Sequence, residues 1–371
     1  MRFVLFAAAE ILCFGLIEWG REVINRETPK LRPGLARVTI RDVARLSGVS
    51  LGTASKALSG SGRMRVETRQ KVVQVAQEIG FHPNELAQSL HRNKSYTVGI
   101  ISNDNFGRFT FPIVEALEEQ LADERFAVFM SNATDDPDRE RQHIAALMAK
   151  RVDGFIVTAR RADVRPKLQV PSNGPPVIYV FSRADDADAL CLLPDDKGGA
   201  TLAVNHLIGL GRRNIAHVTG PEHFDAVQLR RDGWLKALKH GSATGEYLSG
   251  TWSEQWGREA VAKLFAKKRK RPDAIFCGND QIARGVIDAL RECDVLVPKD
   301  VSVVGFDNWE VMAEATRPPL TTIDMNLKEM GHEAGRLLLR LMAGEKISGV
   351  NRLPCSLIIR DSCGAESADK V

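Results

Sequence analysis

The sequence predicts an all-α helix-turn-helix headpiece followed by an α/β core of two lobes with parallel sheets. Three observations lead there. Residues 38–60, "VTIRDVARLSGVSLGTASKALSG", hold two short amphipathic segments around a central glycine. From Tyr96 onward, short β-branched runs alternate with amphipathic helical stretches, the pattern of parallel strands joined by helical crossovers. Charge is unevenly divided. Residues 37–95 carry ten Lys/Arg against four Asp/Glu (+6) and residues 1–36 carry five against four (+1); the chain totals +4, which leaves −3 for the remainder. A small basic module on a mildly acidic body suggests a polyanion binder attached to another domain, although a solvated charged face gives the same count. A length of 371 residues suits two or three domains.

Thr39 opens a Thr-x-x-Asp pattern with Asp42, close to a capping box. Ile40, Val43, Ala44 and Leu46 are expected on one face of the first helix, which Gly48 ends because glycine accepts a left-handed backbone. Ser50 is expected to cap a second helix running to about Leu58, with Ala54, Ala57 and Leu58 inward. A third helix, about residues 66–79, turns Val72, Val73, Ala76 and Ile79 inward and begins at Arg65, which cannot cap it. Two short helices joined by a tight turn and covered by a third make a helix-turn-helix module, residues 37–82, or else a plain helical subdomain. In the first case the second helix enters the DNA major groove. Lys56 then faces guanine, Thr53 and Ser55 a base or phosphate, and Leu51 a thymine methyl, while Gly52 permits close backbone approach.

Residues 83–95 read as a hinge helix or linker. Pro83 favours a helix start, and Leu86 and Leu90 share a face with Ala87 between them. Such a short helix is marginal in water and can order on DNA, with Asn84, Leu86, Ala87 and Leu90 at the minor groove and Leu90 as a wedge between base steps. The bland alternative is an amphipathic linker packed on the next domain.

These residues, "VTIRDVARLSGVSLGTASKALSGSGRMRVETRQKVVQVAQEIGFHPNELAQSL", closely resemble the DNA-binding headpiece and hinge of the LacI/GalR family of bacterial transcription regulators. The resemblance continues through "DGFIV", "HLIGLGRRNIAHVTG", "FCGNDQIARGVIDALRE", "VPKDVSVVGFDN" and "PPLTTIDMNLKEMG", covering about residues 37–363. It implies a homodimer on a pseudo-palindromic operator, a periplasmic-binding-protein-like core, and a small effector that moves the hinge. Glu85 departs from the basic or neutral residue many relatives carry there, and family members begin only a few residues before the Thr39 equivalent.

The core is expected over residues 96–366, with lobe 1 at about 96–194 and 324–351 and lobe 2 at about 195–323 and 352–366. Its strands are read in "TVGIIS", "FAVFMSNA", "DGFIVTA", "PVIYVFS", "NIAHVTG", "DAIFCGND" and "VSVVGFD", with helices such as residues 113–124 and 138–150 between them. Ligands in such folds bind at the carboxyl ends of strands, which points to Asn103, Asn279, Asp280 and Asp307, with Arg230 and Trp252 nearby. Carboxylates and amides serve hydroxyls and an aromatic ring stacks on a sugar or base, so a carbohydrate or polyol is the expected effector. The resemblance matches each of these six positions to effector contacts and adds Phe109 and Ile113 on the first lobe. Each has a rival reading: Asp280 as a helix cap, Arg230 as a surface charge, Asn103 as a loop stabiliser, Trp252 as core.

The six cysteines are scattered, without a Cys-x-x-Cys pair or zinc-ligand spacing, as expected of reduced thiols in a cytoplasm. His82, His206 and His217 are expected to pack or face solvent, and neither metal nor cofactor is expected. The segment "FVLFAAAEILCFGLI" resembles a signal-peptide core, but it is short and interrupted by Glu10, so residues 1–36 are expected to be an extension or upstream reading frame, with no membrane partner. An exported sugar-binding protein is the alternative that this segment prompts. An enzyme is not expected: no phosphate loop, Gly-x-Gly-x-x-Gly after a strand, or nucleophile–base arrangement is visible.

Overall fold

The computed structural model describes residues 38–60, 62–81, 94–105, 107–266 and 270–365. The chain divides into two compact units, Met1–Gln88 and Ser89–Val371. The hinge residues Asn84, Leu86, Ala87 and Leu90 lie outside the described residues, as does the segment before residue 38.

In the first unit, α1 (Ile40–Ser47) begins where the Thr39 N–H donates to Asp42 Oδ2 at 3.0 Å. Bonds from Thr39, and then from Arg45, hold the Asp42 carboxyl below its ordinary range. The helix ends at Gly48, whose φ of 71° is the left-handed conformation that glycine takes without steric cost. Ser50 Oγ then accepts from the Thr53 N–H at 3.1 Å, capping α2 (Leu51–Leu58). The third helix, α3 (Val66–Glu78), closes a core of Val43, Ala44, Ala54, Ala57, Val72 and Ala76. Two inward assignments change. Leu46 is 50% exposed, and Ser47 takes the buried position with its hydroxyl donating to the Val43 carbonyl at 2.5 Å. Val75 rather than Val73 packs against the headpiece core. Ser50→Ala leaves the Thr53 amide without its acceptor and is expected to cost about 0.5–2 kcal/mol; hydrogen exchange of the α2 amides measures it, and unchanged protection would show the cap to be idle.

The second unit contains two six-stranded sheets. The first has the order β13–β7–β5–β3–β1–β2 and is parallel throughout: β1 (Thr97–Ser102), β2 (Ala127–Asn132), β3 (Gly154–Thr158), β5 (Val177–Val180), β7 (Leu190–Pro194) and β13 (Gly349–Leu353). The second, β14–β12–β11–β10–β8–β9, holds β8 (Ile215–Thr219), β9 (Tyr247–Ser249), β10 (Ala274–Cys277), β11 (Ser302–Asp307), β12 (Thr321–Asp324) and β14 (Ser356–Ile358), with β14 alone antiparallel. A two-residue ladder, β4 (Val164–Arg165) with β6 (Arg183–Ala184), lies apart from both. The chain passes between lobes three times: after Pro194, after Asp324 and after Leu353.

The helices α4 (Thr110–Ala122), α5 (Pro137–Ala149), α6 (Asp196–Gly209), α7 (Asp225–His240), α8 (Glu254–Leu264), α9 (Asp280–Glu292), α10 (Glu310–Ala313) and α11 (Leu327–Met342) supply the connections. Late in the chain α11 returns to pack on α4 of the first lobe. Helices α8 and α9 approach so closely that a Cβ on Gly257 would strike the Ile282 carbonyl and one on Gly285 the Glu254 carbonyl. Fully buried Ile100, Phe155, Phe276 and Phe306 anchor the strands. His217 is buried and stacks on Phe276 with centroids 4.6 Å apart, and burial pushes its pKa down to about 4, so it is a neutral packing residue. Half-buried His206 sits with Nε2 3.3 Å from Cys363 Sγ. No helix among the described residues is long and apolar enough to cross a membrane.

Candidate DNA-binding helix and effector cavity

In the headpiece, α2 buries Ala54 and Ala57 and turns Leu51, Gly52, Ser55 and Lys56 to solvent. Thr53 is half-buried, its hydroxyl 2.9 Å from Ser50 Oγ. A Cβ on Gly52 would meet only Ser50 Oγ, at 4.0 Å, so packing within the headpiece does not demand glycine there. Leu51 is 47% exposed, an apolar side chain that the fold leaves uncovered.

In the core, a cavity of about 570 Å³ opens at the carboxyl ends of both sheets, walled by residues of both lobes. That is where helix N-termini and strand ends converge in a doubly wound fold. Phe109 and Phe181 of the first lobe stack with centroids 4.8 Å apart and planes at 24°. The second lobe supplies Phe224 and Trp252, 6.4 Å apart, and Trp309.

The charged groups are mostly tied to one another. Arg230 is 5% exposed; its Nε donates to Asp196 Oδ1 at 2.8 Å, its Nη1 donates to the Gly278 carbonyl at 2.5 Å, and its guanidinium lies 3.6 Å from the Phe306 centroid. Burial raises the Asp196 pKa in spite of Arg230. Asp307 ends β11 at φ 106°, a backbone state uncommon for a residue with a Cβ. Its Oδ2 accepts from Arg108 Nη2 of the opposite lobe at 2.5 Å, and its Oδ1 lies 3.6 Å from Arg230 Nη1. Arg108 also lies 4.8 Å and 4.5 Å from the Phe109 and Trp309 rings. Asp104 accepts from the backbone N–H groups of Gly107, Phe109 and Thr110 at the start of α4.

Of the eight expected effector residues, five line this cavity: Phe109, Arg230, Trp252, Asn279 and Asp307. Three do not. Asn103 stabilises its loop, donating to Asp135 at 2.5 Å and accepting from the Arg160 N–H at 3.0 Å. Ile113 is wholly buried in the first lobe. Asp280 is fully buried, accepting from Thr322 Oγ1 at 2.6 Å and the Trp309 N–H at 2.7 Å; burial, with Asp307 beside it, raises its pKa. The cap of α9 is Asn279, whose side chain accepts from the Ile282 N–H at 2.9 Å, and not Asp280. Sequence reasoning missed Arg108, Arg160, Arg161, Asp163, Phe181, Asp196, Phe224 and Trp309 on the cavity wall. Several follow strands closely, so the strand-end rule that found Asp307 reaches them too.

Comparison with known proteins places these features in context. Residues 39–84 match the family model described as bacterial regulatory proteins, lacI family, and residues 204–363 match a periplasmic binding protein-like domain. The HTH-type transcriptional repressor PurR of Mannheimia succiniciproducens is 32% identical over 310 residues, covering 82% of this chain and 92% of the relative. The HTH-type transcriptional repressor CytR of Escherichia coli is 29% identical, covering 88% and 96%. The crystal structure of the Lac repressor dimer bound to operator and the anti-inducer ONPF superposes with a TM-score of 0.73 at 28% identity, covering 88% of this chain and 99% of the other.

Proposed function

The chain belongs to the LacI family of bacterial regulatory proteins, and from that membership we propose a transcriptional repressor whose hold on operator DNA is set by a small effector in the core cavity. The observation that carries this reading is α2, which buries two alanines and offers Leu51, Ser55 and Lys56 outward. Lys56 donates to guanine O6 or N7, Ser55 and Thr53 to a base or phosphate, and Leu51 meets a thymine methyl. Gly52 lets the backbone come close. Asn84, Leu86, Ala87 and Leu90 take the minor groove, Leu90 as the wedge. The protein works as a homodimer on a pseudo-palindromic operator, in the cytoplasm, as a regulator and not an enzyme. The exported sugar-binding alternative is not favoured, since the curated relatives match through the headpiece as well as the core.

Phe109, Arg230, Trp252, Asn279 and Asp307 form the effector site, and a hydroxylated, carbohydrate-like molecule suits its aromatic and polar walls. Two sites coupled through two global states act reciprocally, so an effector that weakens operator binding is itself bound more weakly, by the same factor, when operator is present. The test is binding of the purified protein to DNA upstream of its own gene and neighbouring genes, across a salt series. Specific, salt-sensitive binding is expected; a folded protein with equal affinity for all DNA would defeat the regulatory reading.

A further inference from the structure

The cavity's charges are formally balanced, but the balance is unevenly available to a ligand. Asp307 is held by Arg108 and Arg230, and Asp196 by Arg230. Asp104 is occupied by three backbone N–H groups. These are the acceptors that a neutral polyol's hydroxyl donors would need. Asp163 is the least engaged carboxylate, its Oδ1 accepting from the Asp225 N–H at 3.1 Å.

The donors stand differently. Arg160 pairs with Asp135 at 2.9 Å. Its neighbour Arg161 is exposed on the cavity wall with no ion-pair partner among the described residues, its guanidinium 4.3 Å from the Phe224 ring of the opposite lobe. Partial burial and then the adjacent Arg160 disfavour the charged form of Arg161 more than Asp163 and Asp135 favour it, so an anion placed there adds to the favourable side. The indole N–H groups of Trp252 and Trp309, which can only donate, have no acceptor among the described residues either. Beside the Asp163 carboxylate and the Gln281 amide, the cavity leaves a guanidinium and two indole N–H groups open, so donors predominate and favour a ligand rich in acceptors.

We infer that the effector is an anion: a hydroxylated small molecule bearing a carboxylate or a phosphate, received by the Arg161 guanidinium. The inference rests on the regulatory reading above and narrows its ligand from carbohydrates in general to acidic ones. A planar guanidinium suits either oxyanion, because its paired N–H groups match two oxygens at once.

The experiment is a thermal-shift and calorimetric titration of the full chain at fixed ionic strength with matched compounds: glucose, glucuronate and glucose 6-phosphate; galactose and galacturonate; ribose and ribose 5-phosphate. At least one acidic member is expected to bind ten-fold or more tightly than its neutral partner. Whether the uronate or the phosphate arm responds names the oxyanion. Arg161→Gln is expected to erase that preference and Arg161→Lys to keep part of it, with operator affinity in the absence of ligand unchanged in both. Tighter binding of a neutral member, no response from any acidic member, or an intact preference in Arg161→Gln each overturns the inference. Operator binding is scored separately on the same samples. Loss of DNA specificity with a retained acid preference defeats the regulatory reading and not this one.

Discussion

Alanine at position 230 is expected to lower the stability of the core by about 3–5 kcal/mol, the usual cost of removing one partner of a buried ion pair. Arg230 is 5% exposed and Asp196 opposite it 2%, so the guanidinium is the main offset to the desolvation of that carboxylate, with Arg352 a lesser one. The Gly278 carbonyl and the Phe306 ring lose their partner as well. Without the cation, burial raises the Asp196 pKa still further. The folded variant then holds that proton more tightly than the unfolded chain does, so its stability rises as the pH falls toward the ordinary carboxylate range, and the deficit against the parent narrows on the way. Urea titration at several pH values reads both. Pairing Arg230→Ala with Asp196→Asn is expected to regain part of the loss at pH 7. A parent-like midpoint in Arg230→Ala would mean that the ion pair contributes nothing to the fold.

Lys56→Ala is expected to weaken specific operator binding by about 1–3 kcal/mol, the value of one good base contact. The residue is exposed, no ion pair holds it among the described residues, and the buried face of α2 is formed by Ala54 and Ala57, so the headpiece should keep its stability. Affinity for unrelated DNA should barely move. An equal loss on both DNAs, with the salt dependence reduced by about one phosphate contact, would reassign Lys56 from base to backbone.

Much of the fold was legible because its signals are local. "TVGIIS" is β1 to the residue, and Gly48 and Ser50 sit where backbone freedom and side-chain capping place them. The two-residue pairing of β4 with β6 was not legible, since so short a ladder leaves no period to read. Within the site, the strand-end rule found Asn279 and Asp307 but could not tell a cavity wall from what lies behind it. Asp280 shares the same strand end and faces Thr322 and the Trp309 amide. The sequence leaves Arg230 open between ligand contact and surface charge; it lines the cavity and is also a buried strut, because its partners come from α6 and from the turn after β10, far off in sequence. Arg108 was invisible for a similar reason: Asp307 lies 199 residues away.

The third passage between lobes has a consequence for synthesis. One outer edge of each sheet, β13 and β14, comes from the stretch Gly349–Ile358. A ribosome that has not yet reached Gly349 therefore holds two unfinished lobes, with β7 and β12 offering open backbone to any neighbouring strand. The headpiece, contained within Met1–Gln88, is complete long before. A premature stop shortly before Gly349 thus yields a finished DNA-binding module joined to two adhesive sheets, a product prone to aggregate and without a formed effector response.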